Sequence, residues 1–240
     1  MSAPLVRFRS SFAYDSRESK ARYVWEKYRE ILQGSKILDV GADECHLKRL
    51  LDDSCTYWGI GLGGRPDQQV NLEKEGVPFP ENSFDTVVCL DVLEHVENPQ
   101  VVMDGLCRVA RHHVIISLPN PWSDLWTVLR HAPYSENRLM KYYGFPHTHP
   151  GDRHKWFFCS EESRAFIEAC AERNRMHVLQ MDHSSRYQPP SGLKGLLHQW
   201  AVRILIRPGF SLDNLYDGPV WAVLQKEARV TPCAENPSLL

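Results

Sequence analysis

No stretch of the 240-residue sequence approaches the roughly 18 consecutive apolar residues of a membrane-spanning helix. The polar, charged start, MSAPLVRFRSSFAYDSRESK, lacks an apolar run followed by a small-residue cleavage site, so no export signal is expected. Cysteine is scattered. Cys45, Cys55, Cys89, Cys107, Cys159, Cys170 and Cys233 make no C-x-x-C pair and no short disulfide framework, which predicts a reducing, cytoplasmic setting. An excess of one charge is also missing. Lys and Arg total 28 against 30 Asp and Glu, so no basic field exists for a nucleic-acid backbone and no nucleic-acid partner is expected. Repeats, low-complexity runs and charge blocks are absent, which excludes solenoids, collagen-like chains and charged tails. What remains, 42% hydrophobic with 10% aromatic, suffices for one sizeable core.

Apolar runs of strand length alternate with helix-like segments, the pattern of an α/β fold with a parallel sheet between helices. Residues 19–33 set Tyr23, Val24, Tyr28, Ile31 and Leu32 at helical spacing, with Gly34 as a C-cap. Lys36 to Val40 reads as a buried strand, followed by a helix through Leu47, Leu50 and Leu51. Strands follow at Thr56 to Gly61 and Val70 to Leu72, and the clearest at Thr86 to Leu90, with an acidic exit at Asp91 and Glu94. Asn98-Pro99 opens a helix, and His113 to Leu118 is a fifth strand. A helix from Ser160, a strand at His177 to His183, a helix at Leu193 to Ile206 and a strand at Pro219 to Leu224 complete the pattern. The alternation fails over 119–158, where Pro119, Pro121, Pro133, Pro146 and Pro150 stand among Trp and Tyr, as in an inserted, irregular cap.

In such a sheet ligands sit beyond the carboxyl ends of the strands, which directs attention to 39–45, 59–64, 71–73 and 91–95. Gly59, Gly61 and Gly64 spell the dinucleotide-binding G-x-G-x-x-G. That fingerprint needs a helix opening behind it, and Arg65-Pro66 with a strand at Val70 leaves no room for one, so a nicotinamide cofactor is the lesser reading. The other start is ILDVGADECHL, in which Asp39 ends a strand and Gly41 permits a tight turn.

KILDVGADECHL, YWGIG, VPFPENSFDTVVCLDVLEHVENP and LCRVARHHVIISLPN together resemble the class I S-adenosylmethionine-dependent methyltransferases, in particular the type-11 small-molecule branch. VPFPENSFDTVVCLDVLEHV is the most specific part, and the motifs cover about a third of the chain. The resemblance implies a seven-stranded, mostly parallel, Rossmann-like sheet with helices on both faces. It also implies a single domain over 1–230 carrying the cap and a second insertion at 186–216, with 231–240 as a tail. By position it places Asp39 and Gly41 against the methionine part of the cofactor, Gly61 at the ribose, Asn71 and Leu72 at the adenine, and Leu90 and Asp91 along methionine and adenosine, with His95 just beyond. The family's G-x-G-x-G is Gly41, Asp43 and Cys45 here, and the usual ribose acid is absent at Gly61. Asp43 is expected to face the cofactor's ammonium, and Asp67 to fold back toward the ribose. A degenerate, non-catalytic binding or scaffolding relative is the alternative to an active enzyme.

Methyl transfer to a small-molecule acceptor, at oxygen, asks for a base, and the string HPGDRHKWFF offers His149 and His154. Each also reads as a polar turn residue holding the cap down. His147, His149, His154 and Cys159 match no closed zinc pattern, so no metal is expected there. Trp122, Trp126, Tyr134, Tyr142, Tyr143, Trp156 and Phe157 read either as a lid over an apolar acceptor or as the cap's own core. Leu193, Leu196, Leu197, Trp200, Ile204 and Leu205 form an apolar face expected to pack on the sheet. Weak surface contact with a membrane is the second reading. The sequence leaves the oligomeric state open.

Overall fold

Apolar residues on both faces of the predicted strands require a sheet covered by helices on both sides. The computed structural model, which describes residues 8–10, 13–131, 153–185, 192–205 and 209–227, has that architecture. Strands β1 (Lys36–Val40), β2 (Thr56–Gly61), β3 (Gln68–Gln69), β4 (Phe84–Leu90), β5 (Ala110–Leu118), β6 (Met176–Ser185) and β7 (Asp217–Lys226) form one sheet in the order β3-β2-β1-β4-β5-β7-β6. Strands β1 to β5 pair in parallel, and β7 runs antiparallel to both its neighbours. The strand order turns back between β1 and β4, so the exits of these two strands frame the switch point.

The alternation of strand side chains divides the core. One face carries Leu38, Val40, Val87, Cys89, Val114 and Ile116 against helices α3 (Pro99–Val109) and α5 (Ser160–Arg173). The other carries Ile37, Val88, Ile115, Trp221 and Val223 against α1 (Arg17–Leu32). Ser16 caps α1 in a reciprocal box with Ser19, which starts the helix beside the exits of β1 and β4 rather than beneath the sheet. Trp221 is fully buried among Tyr14, Tyr23 and Tyr28 and anchors α1 to β7. Lys27 of α1 is buried too. Its ammonium donates to both oxygens of Asp182 at 2.7 and 2.9 Å, while burial pulls its pKa down.

Several local expectations are corrected. The segment after β1 forms only a short 3-10 turn, Leu47–Leu50. The third strand is Gln68–Gln69, two residues early, because Asn71 caps a short helix α2 (Leu72–Glu75). The irregular cap begins with a regular helix, α4 (Pro121–His131), since Pro121 sits in the first turn, where its missing N–H costs nothing. Tyr134, Tyr142, Tyr143, His147 and His149 lie outside the described residues. The final helix, α6 (Gly192–Leu205), does not bury its apolar face on the sheet: among the described residues Leu193, Leu196, Leu197, Trp200 and Ile204 are 62–75% exposed. Val202 turns inward, onto Leu215, Tyr216 and Trp126.

Candidate active site at the strand exits

The turn after β1 bends back over the end of β2: the backbone N–H groups of Gly41 and Ala42 both donate to the Ile60 carbonyl, at 2.8 and 3.0 Å. Gly41 has φ 81°, and a Cβ there would land on Val92 Cγ2, so only glycine lets the turn lie this close to the β4 exit. Asp43 (φ 50°) and Cys45 (φ 53°) hold the left-handed backbone that glycine favours, although neither is glycine. The loop therefore keeps the shape of a three-glycine turn while carrying two side chains. Gly64, φ 76°, lies against the Asp43 backbone, and Arg65 N–H donates to the Asp43 carbonyl at 2.8 Å. The glycines of GIGLGG thus serve a loop-to-loop contact, and the segment leads into β3 without opening a helix.

Asp39 is 7% exposed, on the sheet face that α1 covers, and accepts a hydrogen bond from the Tyr57 hydroxyl at 2.7 Å. Burial raises its pKa to about 6, against the opposing pull of Tyr57 and Lys20. Asp91, at φ 52° just past β4, pairs with Lys20 of α1 at 2.6 Å and accepts from Ser117 Oγ at 2.7 Å. Arg17, one turn earlier, pairs with Asp43. These two cations at the start of α1 were not singled out in the sequence. Their only signal is basic residues three apart on a helix entering next to the motif.

Two expectations about side chains are corrected. Asp43 turns to Arg17 rather than into the space above Gly41. Asp67 does not fold toward the β2 exit. One of its oxygens takes Lys48 at 2.5 Å and the other the Gly59 N–H at 2.9 Å, which holds its carboxyl below the usual range. Asn71 Oδ1 accepts from Glu73 N–H at 3.0 Å as the cap of α2. Gly61 ends β2 and Leu72 opens α2, and no carboxylate stands at Gly61 itself.

Beyond β4 a 3-10 turn, Leu93–His95, carries a second constellation. The irregular segment over 153–159 is strapped to this turn: Lys155 N–H donates to the Glu94 carbonyl at 2.8 Å, and Trp156 Nε1 to the Val96 carbonyl at 2.8 Å. Lys155 Nζ also reaches Glu73 and Glu97, at 2.5 and 3.0 Å. The strap sets His154 against His95, ring centroids 4.5 Å apart and edge to face. Both rings face Glu94 Oε1, at 3.6 Å from His95 and 3.9 Å from His154, and the Glu94 and His154 side chains are 0% and 3% exposed. Trp122 packs edge-on against Phe157 and Phe210 in a partly exposed aromatic cluster.

A family profile described as a methyltransferase domain matches residues 16–199. The chain belongs to this methyltransferase-domain family. The matched range runs from the cap of α1 into α6 and includes every strand-exit residue described above. The ubiquinone biosynthesis O-methyltransferase of Paracidovorax citrulli (strain AAC00-1) is 30% identical over 119 residues, 42% of this chain and 47% of that protein, so the match spans about half the relative's length. Among solved structures, an S-adenosylmethionine-dependent methyltransferase from Archaeoglobus fulgidus aligns over 88% of this chain and 95% of its own, with a TM-score of 0.55 and 14% identity. The [4+2]-cyclase SpnF aligns over 90% of this chain and 86% of its own, with a TM-score of 0.54 and 15% identity. These two likenesses establish the class I Rossmann-like fold of this methyltransferase domain.

Proposed function

We propose that this methyltransferase domain binds S-adenosylmethionine over the β1 and β4 exits and transfers its methyl group to an oxygen of a small-molecule acceptor. The carrying observation is the turn at 41–45: it keeps left-handed backbone at all three positions where the family has glycine, and its one remaining glycine makes an approach that any Cβ would block. Loss of function would have removed the reason to hold Asp43 and Cys45 in a conformation that costs L-residues roughly 1–2 kcal/mol each. This favours an active enzyme over a scaffolding relative.

When bound, the cofactor supplies a methyl made electrophilic by its sulfonium; the acceptor oxygen's lone pair forms the new C–O bond as the C–S bond breaks toward sulfur. The chain's part is to bind and align. Gly41 and Ala42 present bare backbone to the methionine portion, and the nearby Asp39, Asp91 and Lys20 provide charges of both signs for its ammonium and carboxylate. Leu90 and Leu72 flank the adenosine, and Asn71, whose side-chain oxygen caps α2, stands on the adenine side. Gly61 leaves the ribose hydroxyls without the acid that the family uses. His95 and His154 stand beyond Asp91, on the acceptor side, with His149 on the segment that leads to His154.

Oxygen as the methylated atom is supported by the partial likeness to an O-methyltransferase. The exposed apolar face of α6 supports weak surface contact with a membrane and an acceptor with lipid-like parts. No helix among the described residues is long and apolar enough to cross a membrane, and with the scattered thiols this supports a cytoplasmic setting. Methyl-labelled S-adenosylmethionine incubated with the protein and a panel of phenols and hydroxylated quinol analogues tests the reading. Label recovered in an O-methyl product is the expected result. Label found only on nitrogen or carbon would refute the choice of oxygen.

A further inference from the structure

We infer that Glu94, His95 and His154 form a binding site for one divalent transition-metal ion, of the zinc class. One ligand atom from each lies within 4.8 Å of the others. The acceptor role of the ion rests on the methyl-transfer reading above, whereas the binding of the ion does not.

The chemistry of the three groups points to a cation between them. His95 Nδ1 faces the Arg153 carbonyl at 3.3 Å, and a carbonyl only accepts, so Nδ1 carries the proton. In the neutral ring this leaves the Nε2 lone pair aimed at Glu94 Oε1, 3.6 Å away. A divalent cation placed between that lone pair and the buried carboxylate oxygen would be attracted to both. His154 brings a second imidazole nitrogen to the same oxygen at 3.9 Å. Both separations exceed a hydrogen bond, and both approach the roughly 3.3–3.5 Å that ligand atoms keep when each sits about 2.0–2.1 Å from a tetrahedral zinc ion. The Arg153 carbonyl then fills the place of the outer hydrogen-bond acceptor that fixes the tautomer of a metal-bound histidine.

Two imidazoles and one carboxylate suit a borderline ion rather than magnesium or calcium, which prefer all-oxygen shells. The ligands come from a 3-10 turn and a strap about 60 residues later, so the ion would also fasten the strap to the β4 exit. Among the described residues three protein ligands converge, which leaves the fourth position of a tetrahedral ion open. Its occupant is the acceptor hydroxyl: the ion lowers that hydroxyl's pKa, the proton passes to solvent water, and the oxygen is held beside the methyl group. On this arrangement His154 is a metal ligand and not a free base, and the ligand set differs from the His147, His149, His154 and Cys159 string in the sequence.

The test uses the full chain stripped by chelator and dialysed, then titrated with Zn²⁺ against a chromogenic chelator, and in parallel with Co²⁺ followed by visible absorption, both without S-adenosylmethionine. The site predicts one ion per chain and a Co²⁺ ligand-field spectrum without a thiolate charge-transfer band. Glu94→Gln and His154→Ala should each weaken Zn²⁺ by at least about 100-fold, the upper end of what loss of an outer-sphere partner costs. Cys159→Ser should not. No ion bound by the wild-type chain, a thiolate band in its Co²⁺ spectrum, or unchanged affinity in both ligand variants would overturn the site. The wild-type spectrum decides the matter even if a variant fails to fold. A chain that binds the ion but not S-adenosylmethionine would refute the methyl-transfer reading and leave the metal site standing.

Discussion

Replacing Asp39 by Asn separates what this carboxylate costs the fold from what it gives the site. Asp39 is 7% exposed, and burial lifts its pKa from an ordinary 3.8 to about 6 even with the Tyr57 hydroxyl and Lys20 favouring the charged form. The folded chain therefore holds this proton more tightly than the unfolded chain does. As pH rises from below 4 to above 6, the wild-type protein loses stability on this group's account, up to about 3 kcal/mol at 1.36 kcal/mol per pH unit. Asn keeps an oxygen to accept from Tyr57 and has no charge to desolvate. The variant's advantage over wild type should be near zero or negative at pH 4 and grow by roughly 2 kcal/mol by pH 7. Urea unfolding at both pH values measures the difference, with the other carboxylates cancelling between the two proteins. At pH 7 the variant should also bind S-adenosylmethionine at least about tenfold more weakly, a loss of ~1.4 kcal/mol or more, because on the proposed placement this charge serves the cofactor's ammonium. A stability difference that stays flat from pH 4 to 7 would refute the desolvation reasoning, and an unchanged affinity would remove Asp39 from the site.

Two further substitutions probe the same turn from opposite sides. Gly41→Ala forces a Cβ onto Val92 at φ 81°, and should cost roughly 2 kcal/mol or more in unfolding experiments and abolish cofactor binding. Full stability in that variant would mean that the turn can shift away from β4. Gly61→Asp restores the missing ribose acid at a position where a Cβ meets its nearest neighbours at an ordinary 3.5–3.8 Å, so the fold should accept it. Charge-assisted bonds to the ribose should then tighten S-adenosylmethionine about tenfold, or ~1.4 kcal/mol, and an unchanged or weaker affinity would place the ribose elsewhere.

The parts of this architecture that could be read from the sequence are those set by local periodicity. Strands β1, β4 and β5 carry Val and Ile runs buried on both faces, and together with β2 they fall within three residues of the predicted ends. Gly41 was legible because no other residue tolerates its turn. Where tertiary contact decides, the pattern was silent. Lys20 meets Asp91 across 71 residues and His154 meets Glu94 across 60, and neither pairing leaves a spacing in the sequence. Asp67 was misjudged because Lys48 and the Gly59 N–H compete for its oxygens, a contest visible only once the loops are placed. The apolar face of α6 was misread for the same reason: periodicity shows that a face is apolar but not what it faces.

Calorimetric titration of the purified protein with S-adenosylmethionine and S-adenosylhomocysteine, with NADH as control, tests the central claim most directly. Binding of both sulfur ligands at or below about 100 micromolar, roughly −5.5 kcal/mol, with no heat from NADH, is the predicted result. Heat from NADH alone, or from none of the three, would contradict it.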